Sequence, residues 1–552
     1  MNVDLASVHS VSTAPTYTVA QIQAAENELF AHITDPDHLM RQAAHAVAVA
    51  ARHMVETAHL NPRVLVLVGP GGNGGDGLYA AAELLCSGIE CHVMAVQDRI
   101  HERAAASLRA AGGTVITFDP QDPTTQACMS RGYGLVIDAM FGIGGRSGLR
   151  GKPLQAWQQA RKHTQAVLAV DVPSGVEADT GAFDPAAAVC ADVSISFGGL
   201  RIAQALQPAC GEIIWADIAD ERPQTLSSAL AHNQPQVVVA QAIHRCYSQW
   251  PDPIHALPGL QYTGRIEPGI HDDKYTGGVV GVAAGSQRYP GAAVLATNAA
   301  VRATASMVRY VGVNSAQVLA RSPEIVATEL LADAGRVQAW VYGPGSDSDG
   351  TLAQLFATDT PLLIDAAGLR ELAGDAQLRT ELHARQAFTL LTPHFGEFCD
   401  LAQACGIDGD PAHDVRSVVL ALSAQLQAMV LLKGRRTLIA VPTGEVAVID
   451  AGNSFAATAG SGDILAGIIG AFMAQAQGTK TSIHAAIIQA VGIHGRAAAL
   501  ASGPVGRYPV HASSILESIP VAVATSAVDV SRTGHSVSEF CGSVQIGAPN
   551  LR

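Results

Sequence analysis

A short glycine-rich turn late in the chain ends in a carboxylate that could do chemistry. It reads Ala457-Thr458-Ala459-Gly460-Ser461-Gly462-Asp463 and leads directly into an apolar segment with helical spacing. Free amides at the N-terminus of such a helix attract phosphate, and glycines let an anion approach the backbone closely. A carboxylate there would oppose bound phosphate unless it accepts a proton from an attacking hydroxyl or holds Mg²⁺. An ordinary Asp cap on a buried helix is the alternative.

A second glycine-rich stretch occurs early in the chain, between a strand-like and a helix-like segment. The continuous apolar run Val64–Val68 is followed by residues 69–77, in which Asn73 and Asp76 are embedded among glycines. A strand, a glycine-rich turn and a helix in this order cradle phosphate in many proteins. The spacing is not that of the usual dinucleotide motif, and we predict ligand binding here in preference to a purely structural turn.

Polar residues also follow the next predicted strands of the first half. Asp138 ends one apolar run, and Asp171 and Ser174 follow another. Because ligands of parallel sheets bind outside the carboxyl ends of the strands, these side chains and Asn73 are expected at one edge. Their oxygen atoms would also suit a hard cation.

These residues must be positioned by alternating strands and helices. We predict two helices between Tyr17 and Ala58, and then a βα rhythm through about residue 171. The second half repeats it, with a strand at 278–284, a long helix from about Pro290 to Tyr310, and further strands that end near His394 and Lys433. Lys433, Thr437 and Asp463 together indicate nucleotide-dependent phosphoryl transfer. Taken singly, His394 could be a turn histidine and Lys433 a solvated lysine.

Composition limits the partners. The 552 residues are 48% hydrophobic and 15% charged, with a net charge of −14, which argues against nucleic acid or an acidic membrane surface as partner. The nine cysteines show no metal-binding spacing, which fits a reducing cytoplasm. The N-terminus shows no signal-peptide pattern, and no segment is a convincing membrane span.

The motifs GPGGNGGDG, DAMFGIGGRSG and VDVPSGV resemble the NAD(P)HX epimerase domain of bifunctional NAD(P)H-hydrate repair enzymes, also called YjeF N-terminal, which has a Rossmann-like three-layer αβα fold. The resemblance implies that Asn73, Asp138 and Ser174 bind K⁺. It implies a hydrated-dinucleotide site made of Gly72, Asn73, Gly74, Gly75, Asp76, Gly142, Ile143, Gly144, Gly145, Arg146, Ser147, Gly148 and Asp171. The family usually has Asn where this chain has Gly72.

The second half resembles the ribokinase-like, ADP-dependent NAD(P)HX dehydratase domain through LLTPHFGEF, LLKGRRTLIA and AGSGDILAGIIGAF. The resemblance implies that Ala292, Gly345, His394 and Asp463 contact the hydrate, with Asp463 as catalytic base. It implies that Lys433, Gly434, Arg435, Arg436, Thr437 and Gly462 hold the nucleotide, with ADP as phosphoryl donor and Mg²⁺ as its cation. The family's DAD-type strand end reads Asp365-Ala366-Ala367 here.

The expected organisation is a disordered N-terminus at 1–16, an epimerase domain at 17–222, a linker at 223–254, a dehydratase domain at 255–520 and a flexible tail at 521–552. The resemblance implies a cytoplasmic homo-oligomer that epimerises R- and S-NAD(P)HX. It also implies ADP-dependent dehydration of S-NAD(P)HX, meaning NADHX or NADPHX, with release of AMP and phosphate. The alternatives are a ribokinase-like kinase of a vitamin or sugar alcohol, fused to a Rossmann-like ligand-sensing domain, and a non-catalytic first half.

Overall fold

The structure is a computed structural model that describes residues 13–222, 224–241, 254–256, 270–304, 306–504 and 506–526. The described part contains two α/β units, each built on a mostly parallel sheet with helices on both faces. The predicted fold class is confirmed.

The first half alternates strands and helices after its two N-terminal helices. Its strands are β1 (Thr13–Tyr17), β2 (Arg63–Val68), β3 (Glu90–Ala95), β4 (Val115–Thr117), β5 (Tyr133–Ala139), β6 (Thr164–Val170), β7 (Val193–Phe197), β8 (Leu200–Arg201), β9 (Glu212–Ala216), β10 (Val237–Gln241) and β11 (Ile254–Ala256). Its helices are α1 (Val19–Phe30), α2 (His38–Thr57), α3 (Gly72–Cys86), α4 (Glu102–Ala110), α5 (Pro123–Met129), α6 (Gly151–Ala160), α7 (Ile202–Leu206) and α8 (Leu226–Leu230).

The second half follows the same pattern and ends in three packed helices. Its strands are β12 (Val279–Ala283), β13 (Met307–Val311), β14 (Val326–Thr328), β15 (Ala339–Tyr342), β16 (Leu362–Ile364), β17 (Thr389–Leu391), β18 (Met429–Leu432), β19 (Arg436–Ala440) and β20 (Val446–Asp450). Its helices are α9 (Pro290–Arg302), α10 (Ser315–Arg321), α11 (Thr351–Phe356), α12 (Ala367–Gly374), α13 (Ala376–Ala384), α14 (Phe395–Ala404), α15 (Val415–Leu426), α16 (Ser461–Thr479), α17 (Ile483–Ala501) and α18 (Ala512–Ser526).

The first sheet has the strand order β11-β9-β7-β6-β5-β2-β3-β4, and all its pairs are parallel except β11 with β9. Alternate residues of β2 enter two different cores, because successive side chains of a strand point to opposite faces. Val64, Val66 and Val68 pack with α2 and α3, whereas Leu65 and Leu67 pack with α6. The apolar run therefore forms a central strand buried on both faces, as its composition predicts.

The second sheet has the order β14-β13-β12-β15-β16-β17-β18-β19-β20-β10-β1-β8. Its last three strands come from the N-terminal half: β10 pairs with β20 in parallel, β1 with β10 antiparallel, and β8 with β1 in parallel. In return β11, which follows β10 in sequence, pairs with β9 of the first sheet. The two halves thus exchange strands, and one apolar core cluster contains residues of both halves.

Four predicted boundaries differ from the elements that the structure describes. Residues 13–16, expected to be disordered, lie in β1, and the rest of that segment is outside the described residues. The expected linker contains α8 and β10. The expected tail begins too early, because α18 continues through Pro520 to Ser526. The helix expected to reach Tyr310 ends at Arg302 and is followed by strand β13.

Within the described residues, one helix is long and apolar enough to cross a membrane by length and composition. This helix, α17, is 67% buried over that stretch and packs against α16 and α18. Its apolar surface is therefore explained by the interior of the protein.

Candidate active sites

The first candidate site begins at the N-terminus of α3. The helix starts at Gly72 rather than at Leu78, so residues 72–77 form its first turns. A Cβ at Gly74 would lie 2.0 Å from the Gly69 carbonyl oxygen, so this glycine permits close packing of the helix. Gly72, in contrast, faces open space, and a Cβ there would meet nothing within 4 Å. The glycines thus serve both packing and access to the amides at the start of the helix.

Three strand ends meet beside this helix. A Cβ at Gly142, after β5, would lie 3.0 Å from Asp171 Oδ2 and 3.1 Å from Asn73 Oδ1. The amide nitrogen Nδ2 of Asn73 is buried and has no hydrogen-bond partner. The loop after β5 also contains Ile143, Gly144, Gly145, Arg146, Ser147 and Gly148, and the Gly148 amide is anchored to the Gly175 carbonyl at 2.9 Å.

Asp138 and Ser174 form a buried pair next to this loop. Asp138 Oδ1 accepts a hydrogen bond from Ser174 Oγ at 2.7 Å, and Oδ2 accepts one from the Ser174 amide at 2.7 Å. Burial raises the pKa of Asp138 to about 6, against the opposing effect of these hydrogen bonds. The Phe141 amide donates to Ser174 Oγ at 3.0 Å, so this pair fixes the start of the loop.

Asp171 has an unusual backbone and a buried charged partner. Its φ is +65°, a left-handed conformation that few non-glycine residues adopt. Its carboxylate lies 3.0 Å from Arg201 Nη2, and Arg201 is only 2% exposed. Burial raises the pKa of Asp171, whereas the guanidinium lowers it. Arg201 was not predicted, because it lies in a strand of only two residues, too short to show in the sequence pattern.

Two further carboxyl groups respond to the charge of Asp171. Burial, with the charges of Asp171 and Glu26, raises the pKa of Asp76 well above its usual range. Burial also raises the pKa of Glu26, on α1, and the negative charge of Asp171 adds to this effect. Glu26 lies in no sequence motif, so the sequence alone did not identify it.

The second candidate site lies at the N-terminus of α16. Gly460 caps this helix with φ +83°, and Asp463 lies in its first turn. The helix end separates two cavities: Ser461 and Gly462 line the smaller, of about 280 Å³, and Gly460 and Asp463 line the larger, of about 890 Å³. Asp463 therefore faces one chamber while the adjacent amides face the other.

The smaller cavity contains most of the residues predicted to hold the nucleotide. Lys433, Gly434, Arg435, Thr437 and Gly462 line it, together with residues that the sequence did not indicate, Asn453 and His494 among them. His494 Nε2 lies 3.0 Å from Ser461 Oγ, and burial lowers the pKa of His494 to about 4. The imidazole is therefore neutral and can hold the first residue of α16 in place.

Arg436 is not among the residues that line the smaller cavity, so any contact with the nucleotide would have to come from its backbone. Its guanidinium is buried and points away from the cavity, because successive residues of a strand face opposite sides. Nε donates to Asp450 Oδ2 at 3.0 Å, and Nη2 donates to the carbonyl of Gly211, in the first half of the chain, at 2.7 Å.

A charge pair connects the smaller cavity to Asp463. Lys433 Nζ donates to Asp365 Oδ1 at 2.7 Å, and that oxygen also accepts from Thr392 Oγ1 at 3.0 Å. Burial, with the charge of Asp365, raises the pKa of Asp463 to about 6, and the ammonium of Lys433 opposes this shift. Asp463 is thus a partly buried carboxylate suited to accept a proton near neutral pH.

The larger cavity contains Ala292, Gly345 and Asp463. Gly345 has φ +64°, and a Cβ there would lie 2.6 Å from Ala292 Cβ, so glycine is required for this close contact. Ala366, which follows Asp365, also lines the cavity with φ +44°, strained for a residue with a side chain.

His394 lies outside the lining of both cavities. It caps α14, where its Nδ1 accepts hydrogen bonds from the amides of Gly396 and Glu397 at 3.0 and 3.3 Å. Its side chain is 63% exposed. The structure therefore gives His394 a capping role, and the predicted contact with the hydrate stays a prediction.

Fold and sites together describe a two-domain α/β protein with a candidate ligand site at the start of a glycine-rich helix in each domain. A family model described as NAD(P)H-hydrate dehydratase matches residues 280–521, and one described as YjeF-related protein N-terminus matches residues 36–203. A bifunctional NAD(P)H-hydrate repair enzyme of Corynebacterium glutamicum is 40% identical, covering 94% of this chain and 99% of the relative. One of Mycobacterium tuberculosis is 41% identical, covering 83% and 89%.

The chain belongs to the family of bifunctional NAD(P)H-hydrate repair enzymes. This finding supports the repair reaction over a vitamin or sugar kinase with a sensing domain. Among solved structures, an ADP/ATP-dependent NAD(P)H-hydrate dehydratase from Bacillus subtilis, co-crystallized with ATP/Mg²⁺, is 24% identical with a TM-score of 0.41, covering 48% of this chain and 94% of its own.

Proposed function

We propose that the second domain dehydrates S-NAD(P)HX in two steps, with ADP as phosphoryl donor. The C6 hydroxyl of the hydrate attacks the β-phosphorus of ADP, AMP leaves, and a phosphate ester forms at C6. Loss of phosphate from C6 and of a proton from C5 then restores the dihydropyridine. Phosphate is a far better leaving group than hydroxide, which explains why the nucleotide is needed.

Asp463 is the general base of this proposal. This role rests on the position of Asp463 in the first turn of α16. Asp463 lines the larger cavity, whereas Ser461 and Gly462 line the smaller one. A hydroxyl bound in the larger cavity can then be deprotonated beside the boundary that the phosphoryl group crosses.

The amides of Gly460–Gly462 and the ammonium of Lys433 are suited to the charge on the transferring phosphoryl group. Gly462 lies so close to Lys433 that a Cβ would be 3.5 Å from Nζ. Fixed donors of this kind stabilise charge that develops in the transition state. We propose that Gly434, Arg435 and Thr437 complete the nucleotide site, and that Ala292 and Gly345 contact the hydrate.

Mg²⁺ is proposed to accompany the nucleotide. Among the described residues, no group of three or more His, Cys, Asp or Glu side chains could hold a metal ion by itself. This fits a cation bound mainly through nucleotide phosphates and water, as Mg²⁺ prefers. When bound, it would neutralise phosphate charge.

We propose that the first domain interconverts the R and S epimers of NAD(P)HX. Residues 72–76, the loop 142–148 and Asp171 meet at one sheet edge and would bind the hydrated nicotinamide. Asn73, Asp138 and Ser174 would hold K⁺, which would offset negative charge there. The Asn73 side chain fits this assignment, since its Nδ2 has no described partner and its Oδ1 lies beside Gly142 at the same sheet edge.

Recovery of dihydronicotinamide absorbance from a mixed-epimer NADHX preparation, with ADP and Mg²⁺, tests both halves. Complete recovery is expected. Recovery that stops at the S fraction would refute the epimerase proposal alone, and a stable phosphorylated product would refute the dehydratase proposal. A cytoplasmic location and a homo-oligomeric state stay predictions from the sequence.

A further inference from the structure

One guanidinium of the second domain enters the first domain close to the proposed epimerase site. Arg436, in β19, is hydrogen-bonded to the carbonyl oxygens of Gln204 and Gly211 and to the carboxylate of Asp450. These bonds hold α7, a helix of only five residues, against the sheet of the second domain. A buried arginine thus connects a short helix, which has little internal stability, to the second domain.

The side chain of Gln204 continues from α7 to Asp171. Gln204 Nε2 donates to the Asp171 carbonyl at 2.7 Å, and Oε1 accepts from the Arg201 amide at 2.8 Å. The Asp171 amide donates to the Ile195 carbonyl at 2.8 Å. Both backbone polar groups of Asp171 are therefore held, which explains how its left-handed conformation persists.

Arg201 is tied to the second domain as well. It ends β8, which pairs with β1, and β1 pairs with β10, which in turn pairs with β20 of the second domain. The guanidinium that faces the Asp171 carboxylate thus projects from the edge of the second domain's sheet. The carbonyl and the carboxylate of Asp171 thus both contact residues that are connected to the second domain.

We propose that Arg436 is a positioning residue for the first-domain reaction: through Gln204 it fixes the Asp171–Arg201 pair, so the second domain completes the epimerase site. The inference rests on the proposed epimerase function. Arg436 contacts neither substrate, so its loss affects kcat through the geometry of Asp171 and leaves the binding of the hydrate mostly unchanged.

The test compares the full-length protein with R436M, which keeps the aliphatic volume but removes the donors, and with R436K, which keeps the charge. Exchange of purified R and S epimers is measured without ADP, so that dehydration is silent, and dehydration of S-NADHX is measured separately with ADP and Mg²⁺. We expect R436M to lower the epimerisation kcat about 10- to 100-fold with KM changed less than about threefold, and R436K to retain intermediate activity. Dehydration by R436M should remain within about threefold of wild type.

R416M is the matched control. Arg416 also donates across the domain boundary, to Gln236 Oε1 at 3.1 Å, but no described hydrogen bond connects Gln236 to Asp171. We expect R416M to keep the wild-type ratio of epimerisation to dehydration. Wild-type epimerisation by R436M, or an equal loss of both activities, would overturn the inference.

Q204M and R436K decide the case if R436M does not fold. Q204M removes the side-chain link to Asp171 but leaves the backbone carbonyl that Arg436 contacts, and it should lower the same kcat. If both Q204M and R436K epimerise at the wild-type rate, the inference is wrong. Absence of epimer exchange in the wild type would refute the epimerase proposal itself, and this inference with it.

Discussion

At the scale of the residue, the chemistry of the second site depends on the protonation of Asp463. A general base acts only when ionised, and burial raises the pKa of Asp463 to about 6. We therefore expect the dehydration rate to fall about tenfold per pH unit below about pH 6, and to be flat above about pH 7. The pH profile of kcat/KM for S-NADHX with saturating ADP measures this, and a rate independent of pH between 5 and 7 would contradict it.

Asp463→Asn keeps the shape of the side chain but removes the base. Dehydration should fall about 10²- to 10⁴-fold, the range that general-base catalysis contributes. The dissociation constant of ADP should change little, because Asp463 lines the larger cavity and the nucleotide is proposed to bind in the smaller one. Full activity of this variant would remove Asp463 from the mechanism.

The larger cavity contains two arginines that the sequence did not indicate. Arg288 and Arg370 are the cations among its described lining residues, and neither forms a described salt bridge. We expect the phosphates of a dinucleotide bound there to lie near these arginines, because guanidinium groups bind phosphate well. We expect R370A to raise KM for S-NADHX about tenfold or more with kcat nearly unchanged, because a hydrogen bond to a charged group contributes about 1.5–3 kcal/mol.

An exposed arginine outside the cavity supplies the control for R370A. Arg321 lies on α10 and is 3.8 Å from Glu517, an exposed pair that contributes little to stability. R321A should leave KM unchanged. An unchanged KM in R370A as well would show that the phosphates bind elsewhere.

Sequence patterns located the residues that follow strands or begin helices. Lys433, Asp138 and Ser174 were found in this way, and the structure places the last two in contact. Arg201 and Glu26 were missed because their proximity to Asp171 results from packing between distant segments. The side chain of Arg436 points away from the cavity because successive residues of β19, such as Arg436 and Thr437, face opposite sides of the sheet.

At the scale of the element, the position of Asp463 depends on how closely α16 packs. A Cβ at Gly467 would lie 2.1 Å from the Ala296 carbonyl oxygen of α9. We expect Gly467→Ala to push the two helices apart, lower the free energy of unfolding by about 1–3 kcal/mol, and reduce dehydration by displacing Asp463. Thermal unfolding and the dehydration rate measure the two effects.

Gly374→Ala is the control for Gly467→Ala. Gly374 ends α12, and a Cβ there would meet nothing within 4 Å. Its φ is not in the left-handed region, so alanine should be neutral or slightly stabilising. Equal losses in the two variants would mean that the loss in Gly467→Ala does not arise from the contact between α16 and α9.

Apolar runs predicted the central strands well, because a strand buried on both faces must be apolar throughout. The run Val64–Val68 became β2, and the run ending at Leu432 became β18. Two other strands were not predicted in this way: β8, at the edge of its sheet, has two residues, and β13, between β14 and β12, was read as the end of a helix. Such strands are defined by their neighbours in the sheet.

At the scale of the whole molecule, the exchange of strands makes the two halves one structural unit. The first half supplies β1, β8 and β10 to the second sheet, and the chain then returns to supply β11 to the first. A cut within residues 242–253 therefore leaves each fragment paired with the other's sheet. The shared apolar core and the bonds of Arg436 also remain across the cut.

We expect the protein cleaved at a protease site introduced within residues 242–253 to elute at the same volume as the uncut protein in size-exclusion chromatography. Both activities should be retained, because the cut breaks no described contact of either site. Fragments that separate without denaturant would show that the halves are independent domains. In that case the Asp171–Arg201 pair could not depend on the second sheet. Co-elution with both activities would show instead that the strand exchange holds the two enzymes together without a covalent connection.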